Sequence, residues 1–288
     1  MIASVRRRRQ VWAVWRAVGI LAFACLILAP LGYMVVVSLT PDSQVGGGAI
    51  FPTHVAWGNY VRMWGTINLA RDIGNSLLIS ASTGVMATLV AMGAAYVTAR
   101  FRFPGRRFFL LSLATFQTIP GVMLLLPLFA IIVVLQTALR VTLIGTYFTV
   151  IMTYLTFALP FASWLLVSYL AAIPVELEEA ALVDGAGRLQ VVRHIVLPLA
   201  VPGMVVTFVF SFLLAWGDVL FASVLTNQST RTLAVGLQAY VSAGETGGDV
   251  YWGQLMAASL ASGLPIVVIF LLLQRYIIGG LTGGALKG

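Results

Sequence analysis

The chain has 288 residues, of which 60% are hydrophobic and 9% charged, and it carries a formal net charge of +8. A mean hydropathy of +1.00 excludes a soluble globule, in which about a quarter of residues are charged, and places the chain in the membrane class. The basic excess calls for no nucleic-acid partner, because the positions of the bases account for it as membrane topology.

A helix needs ~20 mostly apolar residues to cross a hydrocarbon core ~30 Å thick. Charge-free tracts of at least that length lie between Arg16 and Asp42, Asp72 and Arg100, Arg107 and Arg140, Arg140 and Glu176, Arg193 and Asp218, and Asp249 and Arg275. None holds two spans and a turn. Barrel strands would instead leave short alternating segments. The expected architecture is an all-α membrane protein with six transmembrane helices and a helix-turn-helix between the fourth and fifth.

In chain order, residues 1–16 form a basic N-terminal segment containing Arg6 to Arg9 and Arg16. The apolar run after it is too long for a signal peptide, and no small-x-small cleavage pattern precedes Leu39, so it reads as the first span, near 17–39. Cys25 lies within it and has no partner cysteine in the chain. The other spans are expected near 75–99, 108–135, 143–170, 201–225 and 255–278, making 17–278 the transmembrane domain. The loop 40–74 is expected to be flexible around Gly46, Gly47 and Gly48. In the second span Ser80, Gly84, Ala87, Ala91 and Ala94 form one small stripe suited to close helix packing. Pro120, Pro127 and Pro160 fall inside the third and fourth tracts, where each removes a backbone donor and bends a helix. The stretch 226–254 contains the turn-forming run GETGGD, and residues 279–288 form a glycine-rich tail.

With the N-terminus inside, thirteen bases lie on the inner side and four (Arg62, Arg71, Arg140, Arg231) on the outer. That asymmetry predicts a multi-pass protein with both ends in the cytoplasm, in contact with membrane lipid.

A phosphate-binding loop requires a lysine after its glycines, and the single lysine is Lys287. The chain therefore has no nucleotide-binding motif. His54 and His194 lie in loops on opposite sides without a ligand cluster, so neither a metal site nor a catalytic residue is expected. An ion-coupled carrier buries ionisable groups mid-span. Asp218 is the one candidate, and its place in the fifth tract puts it ~25 Å along the helix, near the outer interface. Gln117, Thr118, Tyr154, Trp216 and Asp218 are polar or aromatic groups at membrane depth, and they are the candidates for a solute pathway.

Four of the nine acids fall between Glu176 and Asp184, in the inside loop 171–200. Glu176, Glu178 and Glu179 suit the first turns of a helix after Pro174. Asp184-Gly185 ends that helix, because glycine tolerates the left-handed cap. A second helix is expected from Arg188, with Leu189, Val192 and Ile195 as its apolar stripe. Leu197-Pro198 and Val201-Pro202 then steer the chain back into the bilayer.

This pattern, Glu179-Ala180-Ala181, Asp184-Gly185-Ala186, then Ile195-x-Leu197-Pro198, resembles the EAA loop of bacterial ABC importer permeases. Phe157-Ala158-Leu159-Pro160-Phe161, Ala215-Trp216 and the tail after Gln274-Arg275-Tyr276 resemble the carbohydrate-uptake branch, and within it the second permease subunit of maltose-type importers. One departure is Gly217-Asp218, where family members commonly have Asn and then an acid. The resemblance implies a coupling helix docked on a separate ATPase through Glu178, Glu179, Ala180, Ala181, Asp184, Gly185, Ala186, Ile195, Leu197 and Pro198. It also implies a tail contact with the ATPases at Gly283, Gly284, Lys287 and Gly288. The implied partners are a homologous six-span permease subunit, two cytoplasmic ATPase subunits and an extracytoplasmic solute-binding protein. ATP and Mg would sit on the ATPases, with no cofactor bound by this chain. The expected function is half of the translocation pathway of an ATP-driven importer for a sugar or related solute. The alternatives are an ion-coupled secondary transporter and an importer permease for a non-sugar solute.

Overall fold

A computed structural model describes residues 2–47, 51–66, 68–245 and 251–285, with side chains apart from those of 2–11, 13, 243–245 and 277–285. The described residues form helices and connecting turns, without a strand. In chain order the helices are α1 Ile2–Ser38, α2 Gly58–Thr66, α3 Leu69–Arg100, α4 Arg106–Thr118, α5 Gly121–Leu139 and α6 Tyr147–Ala171. They continue as α7 Glu176–Val183, α8 Arg188–Val191, α9 Leu197–Gly217, α10 Leu220–Leu225, α11 Leu233–Glu245 and α12 Trp252–Ala285. Among the described residues six segments are long and apolar enough to cross a membrane: Val14–Ser38, Leu69–Arg100, Gly121–Leu139, Tyr147–Ala171, Arg188–Gly217 and Trp252–Tyr276. The described part of the chain is thus all-helical, with six such segments, one for each charge-free tract.

Two tracts fold otherwise than expected. The third, expected as one span over 108–135, breaks into α4 and α5 at Ile119 and Pro120, both in extended backbone. Proline forces the residue before it out of helical geometry, and α5 restarts with Pro120 as its cap, where the missing N–H costs nothing. The membrane-length part is therefore 121–139. Pro127 and Pro160 stay inside α5 and α6. The fifth span, expected over 201–225, begins at Arg188 instead and its helix ends at Gly217. Residues 192–196 form a wide π-turn closed by Leu197 N–H donating to the Val192 carbonyl. Pro198 supplies the reason: it has no N–H for the His194 carbonyl and its ring crowds that carbonyl, and the wider turn gives it room.

The chain divides into two compact units, 1–67 with 240–261 and 68–239 with 262–288. In the first, the opening residues of the loop after α1 make hydrogen bonds to α2 and to the start of α12. The Asn59 amide donates to the Ser38 and Thr40 carbonyls (3.0 and 3.1 Å). The Asp42 carboxylate accepts the Gly253 N–H at 2.9 Å, and Thr66 Oγ1 donates to Gln254 Oε1 at 2.7 Å. Gly48 lies outside the described residues, as do 246–249 of the GETGGD run.

In the second unit, α3 packs chiefly against α6 and α9. Ser80, Gly84, Ala87 and Ala91 of the small stripe are buried, and Ala94 is half-buried beside buried Ala95. Small side chains let the backbones approach closely. A carbon added at Gly84 would stand 2.8 Å from the Phe208 ring of α9 and 3.2 Å from the Phe208 carbonyl oxygen. Gly84→Val is expected to destabilise the α3–α9 packing by about 1–3 kcal/mol, read as a lower unfolding midpoint in detergent. Gly93→Ala, where the added carbon meets nothing within 4 Å, should not lower it.

Candidate functional site

The segment between α6 and α9 is a helical elbow. In α7 the three glutamates of the first turn lie where the helix dipole favours negative charge. The helix ends in a paired cap. Gly185 N–H donates to the Leu182 carbonyl (3.1 Å) and Ala186 N–H to the Ala181 carbonyl (3.0 Å), with Gly185 at φ +88°. That left-handed φ is what selects glycine here. The Gln190 side chain then accepts the Gly187 N–H at 2.7 Å and starts α8. The reversal is thus fixed by four consecutive residues, Asp184 to Gly187.

The elbow has two faces. Ala181, Ala186, Ile195 and Leu197 pack against a core of Ala91, Met92 and Ala95 from α3, Ala162, Leu166, Val167 and Leu170 from α6, and Val191, Val196 and Ala200. The buried positions 191 and 196 are five apart, as the π-turn dictates. The expected stripe through Leu189, Val192 and Ile195 is thereby displaced: Val192 and Ile195 are half-buried, and Leu189 points away. On the outer face Val183 is 87% and Leu189 81% exposed, and Glu179, Ala180, Asp184, Gly185 and Pro198 are exposed with them.

Glu178 departs from its neighbours. Its Oε1 pairs with Arg100 Nε at 2.6 Å, with the two side chains 8% and 9% exposed. Tyr96 Oη donates to its Oε2 at 3.2 Å, and Arg100 Nη2 donates to the Ile173 carbonyl at 3.0 Å. Arg188 of α8 lies 5.4 Å from the centre of the Phe101 ring, a cation–π contact. Sequence reasoning treated Arg100 as a topology anchor and missed this pairing. The available signal was its position as the last residue of an apolar tract near an acid-rich loop.

The candidate pathway residues separate into three places. Gln117 and Thr118 are exposed in the last turn of α4. Gln117 lines a cleft of about 230 Å³ with Phe116, Phe157, Pro160, Phe161 and Phe210, in which the Phe161 and Phe210 rings stack 3.8 Å apart. Tyr154 and Asp218 are brought together: Tyr154, fully buried, donates to Asp218 Oδ2 at 2.8 Å. The same oxygen accepts the Phe221 and Ala222 N–H groups at 3.0 Å each, so Asp218 caps α10 from just beyond the end of α9. Trp216 is buried and stacks on Phe212. Of the expected tail contacts, Gly283 and Gly284 lie in the helical backbone of α12, which runs on through Ala285. Lys287 and Gly288 lie outside the described residues.

Six segments long and apolar enough to cross a membrane, with a polar helical elbow between the fourth and fifth, define a multi-span membrane protein among the described residues. The profile of the binding-protein-dependent transport system inner membrane component family matches residues 87–282, and the chain belongs to that family. It is 41% identical over 172 residues to the inner membrane ABC transporter permease protein YcjP of Escherichia coli strain K12, a match covering 58% of each chain. The matched part thus spans less than two thirds of that relative. It is 32% identical over 238 residues to the maltose/maltodextrin transport system permease protein MalG of Salmonella typhimurium strain LT2, covering 78% of this chain and 80% of that one. The fold is also that of a chain in the crystal structure of a bacterial ABC transporter involved in the import of the acidic polysaccharide alginate. There the TM-score is 0.75 at 21% identity, over 93% of this chain and 96% of the other.

Proposed function

We propose that this chain is one half of the translocation pathway of an ATP-driven importer for a sugar or a related solute. Its companions are a homologous six-span subunit, two ATPase subunits that hold ATP and Mg, and a solute-binding protein on the opposite side of the membrane. Both ends, the elbow and the tail at Gly283, Gly284, Lys287 and Gly288 lie on the cytoplasmic side, in keeping with the distribution of bases along the chain. The sugar class rests on the relative named for maltose/maltodextrin transport.

The observation that carries this reading is the outer face of the elbow. Val183 and Leu189 are almost wholly exposed beside Glu179 and Ala180, on a scaffold fixed by the Gly185 cap and the core beneath it. An apolar pair rimmed by an acid suits a protein cleft. The exposed alanine at 180 permits close approach, and the exposed acid offers a charged contact. Closing the ATPase pair then pushes the elbow and, through it, the spans.

Glu179→Arg is expected to cut solute-stimulated ATP hydrolysis by about tenfold or more, the loss of one charge-assisted contact and its replacement by repulsion. The check is ATPase activity of the complete complex in proteoliposomes, with and without solute-loaded binding protein. Unaltered coupled hydrolysis would sink the docking assignment. A solute screen on the binding protein, run on the same complex, tests the sugar class.

A further inference from the structure

Of the two adjacent glutamates of α7, Glu179 is exposed and Glu178 is buried and bound to a membrane span. Arg100 is the last residue of α3, the helix that packs on both α6 and α9. Its guanidinium holds the Glu178 carboxylate with Nε and the Ile173 carbonyl with Nη2. Both Glu178 oxygens are used, one by Arg100 and one by Tyr96, four residues earlier on α3. Arg188 resting on Phe101, the residue after Arg100, ties α8 to the same point. Arg106 adds a brace by donating to the Thr98 carbonyl in the last turn of α3, at 2.8 Å. Among the described residues the elbow is therefore joined to α3 by the Arg100–Glu178 ion pair, with its Tyr96 hydrogen bond, and by Arg188 on Phe101.

From this geometry we infer that Arg100 and Glu178 are positioning residues for transport: their ion pair makes α7 a rigid extension of α3, so that displacement of the elbow moves α3 directly. Glu179 meets the partner, and Glu178 hands the movement on. The inference rests on the docking reading above. A buried, doubly hydrogen-bonded ion pair holds one geometry where a solvated pair would exchange partners. An apolar contact at the same place would let the two helices slide. Glu178→Gln keeps the size and one acceptor but loses the charge, so it loosens the joint without emptying the site.

The test uses the complete complex in proteoliposomes. Spin labels are placed at Val97 and Val183, both exposed, on α3 and α7. In the otherwise native protein the inter-label distance should be the same with ATP trapped and with nucleotide absent. In Glu178→Gln the distribution should broaden and differ between the two states. Solute taken up per ATP hydrolysed should fall about tenfold in that variant, the worth of one charge-assisted hydrogen bond. The ATPase subunits should still co-purify. The exchanged pair Arg100→Glu with Glu178→Arg should recover part of the lost coupling. A native distance that changes between nucleotide states overturns the inference. So does a Glu178→Gln variant in which uptake and hydrolysis fall together with the yield of assembled complex, since that is what a merely structural pair would do. Failure of the native chain to capture an ATPase at all would sink the docking reading instead, and co-purification distinguishes the two failures.

Discussion

Gly185→Pro is expected to abolish solute-stimulated ATP hydrolysis in the complete complex while leaving the membrane spans folded. Gly185 sits at φ +88°, and proline is held near −65°. Its N–H also donates to the Leu182 carbonyl, a donor that proline lacks. The substitution therefore forbids the cap twice over, at a local cost of about 3 kcal/mol or more, roughly a hundredfold in the population of the intact elbow. The cost stays local because the added atoms meet no neighbour: nothing lies within 4 Å of a carbon built on Gly185. Circular dichroism and the unfolding midpoint in detergent should be near native, and the ATPase assay should not. Gly185→Asn, which tolerates the left-handed region better than other side chains, should retain part of the coupling. Equal loss in the proline and asparagine variants would show that the chemistry of the position matters there, rather than its backbone.

This contrast between a local and a distant cause also explains what could be read from residues alone. Six spans were legible because a bilayer core demands long charge-free tracts, and that demand does not depend on packing. Where helices break inside a tract was not. Pro120 ends α4, whereas Pro127, Pro160 and Pro202 lie inside continuing helices. The same residue has opposite outcomes because neighbours decide whether the freed carbonyl and the bend are tolerated. The elbow was legible as helix, turn and helix, since its cap and turn are made by consecutive residues. The burial of Leu189 was misread because a 3.6-residue period does not survive the π-turn forced beside Pro198. That Glu178 is buried while Glu179 is exposed goes with the pairing of Glu178 to Arg100, 78 residues earlier, and no local pattern carries that information. Asp218 was placed inside a helix for a related reason: Gly217 and Asp218 interrupt an otherwise apolar run too briefly to mark an end.

Arg231→Leu is expected to be the most destabilising single change in the second unit, by about 3–5 kcal/mol, the usual loss when one partner of a buried ion pair is removed. Arg231 Nη2 and Nε both approach Asp72 Oδ2, at 2.9 and 3.0 Å. The Asp72 side chain is 2% exposed and that of Arg231 17%, and Asp72 Oδ1 has no hydrogen-bond partner among the described residues. The loop that presents Arg231 is held independently. The Asn75 amide donates to the Ser229 and Arg231 carbonyls, Leu233 N–H donates to Ser76 Oγ, and Thr230 Oγ1 donates to the Gly145 carbonyl. Losing the guanidinium should therefore leave the loop in place and strand a carboxylate at the start of α3. The two partners are not equivalent. In Asp72→Leu the remaining arginine lies nearer water and can turn its charge outward, so its loss should be smaller. In the double variant, Asp72→Leu with Arg231→Leu, no charge is buried, and most of the stability should return. Chemical unfolding of the three variants in detergent micelles gives the order. If Asp72→Leu costs as much as Arg231→Leu, or the double variant costs their sum, the site is held by side-chain packing and hydrogen bonds rather than by the need to neutralise Asp72.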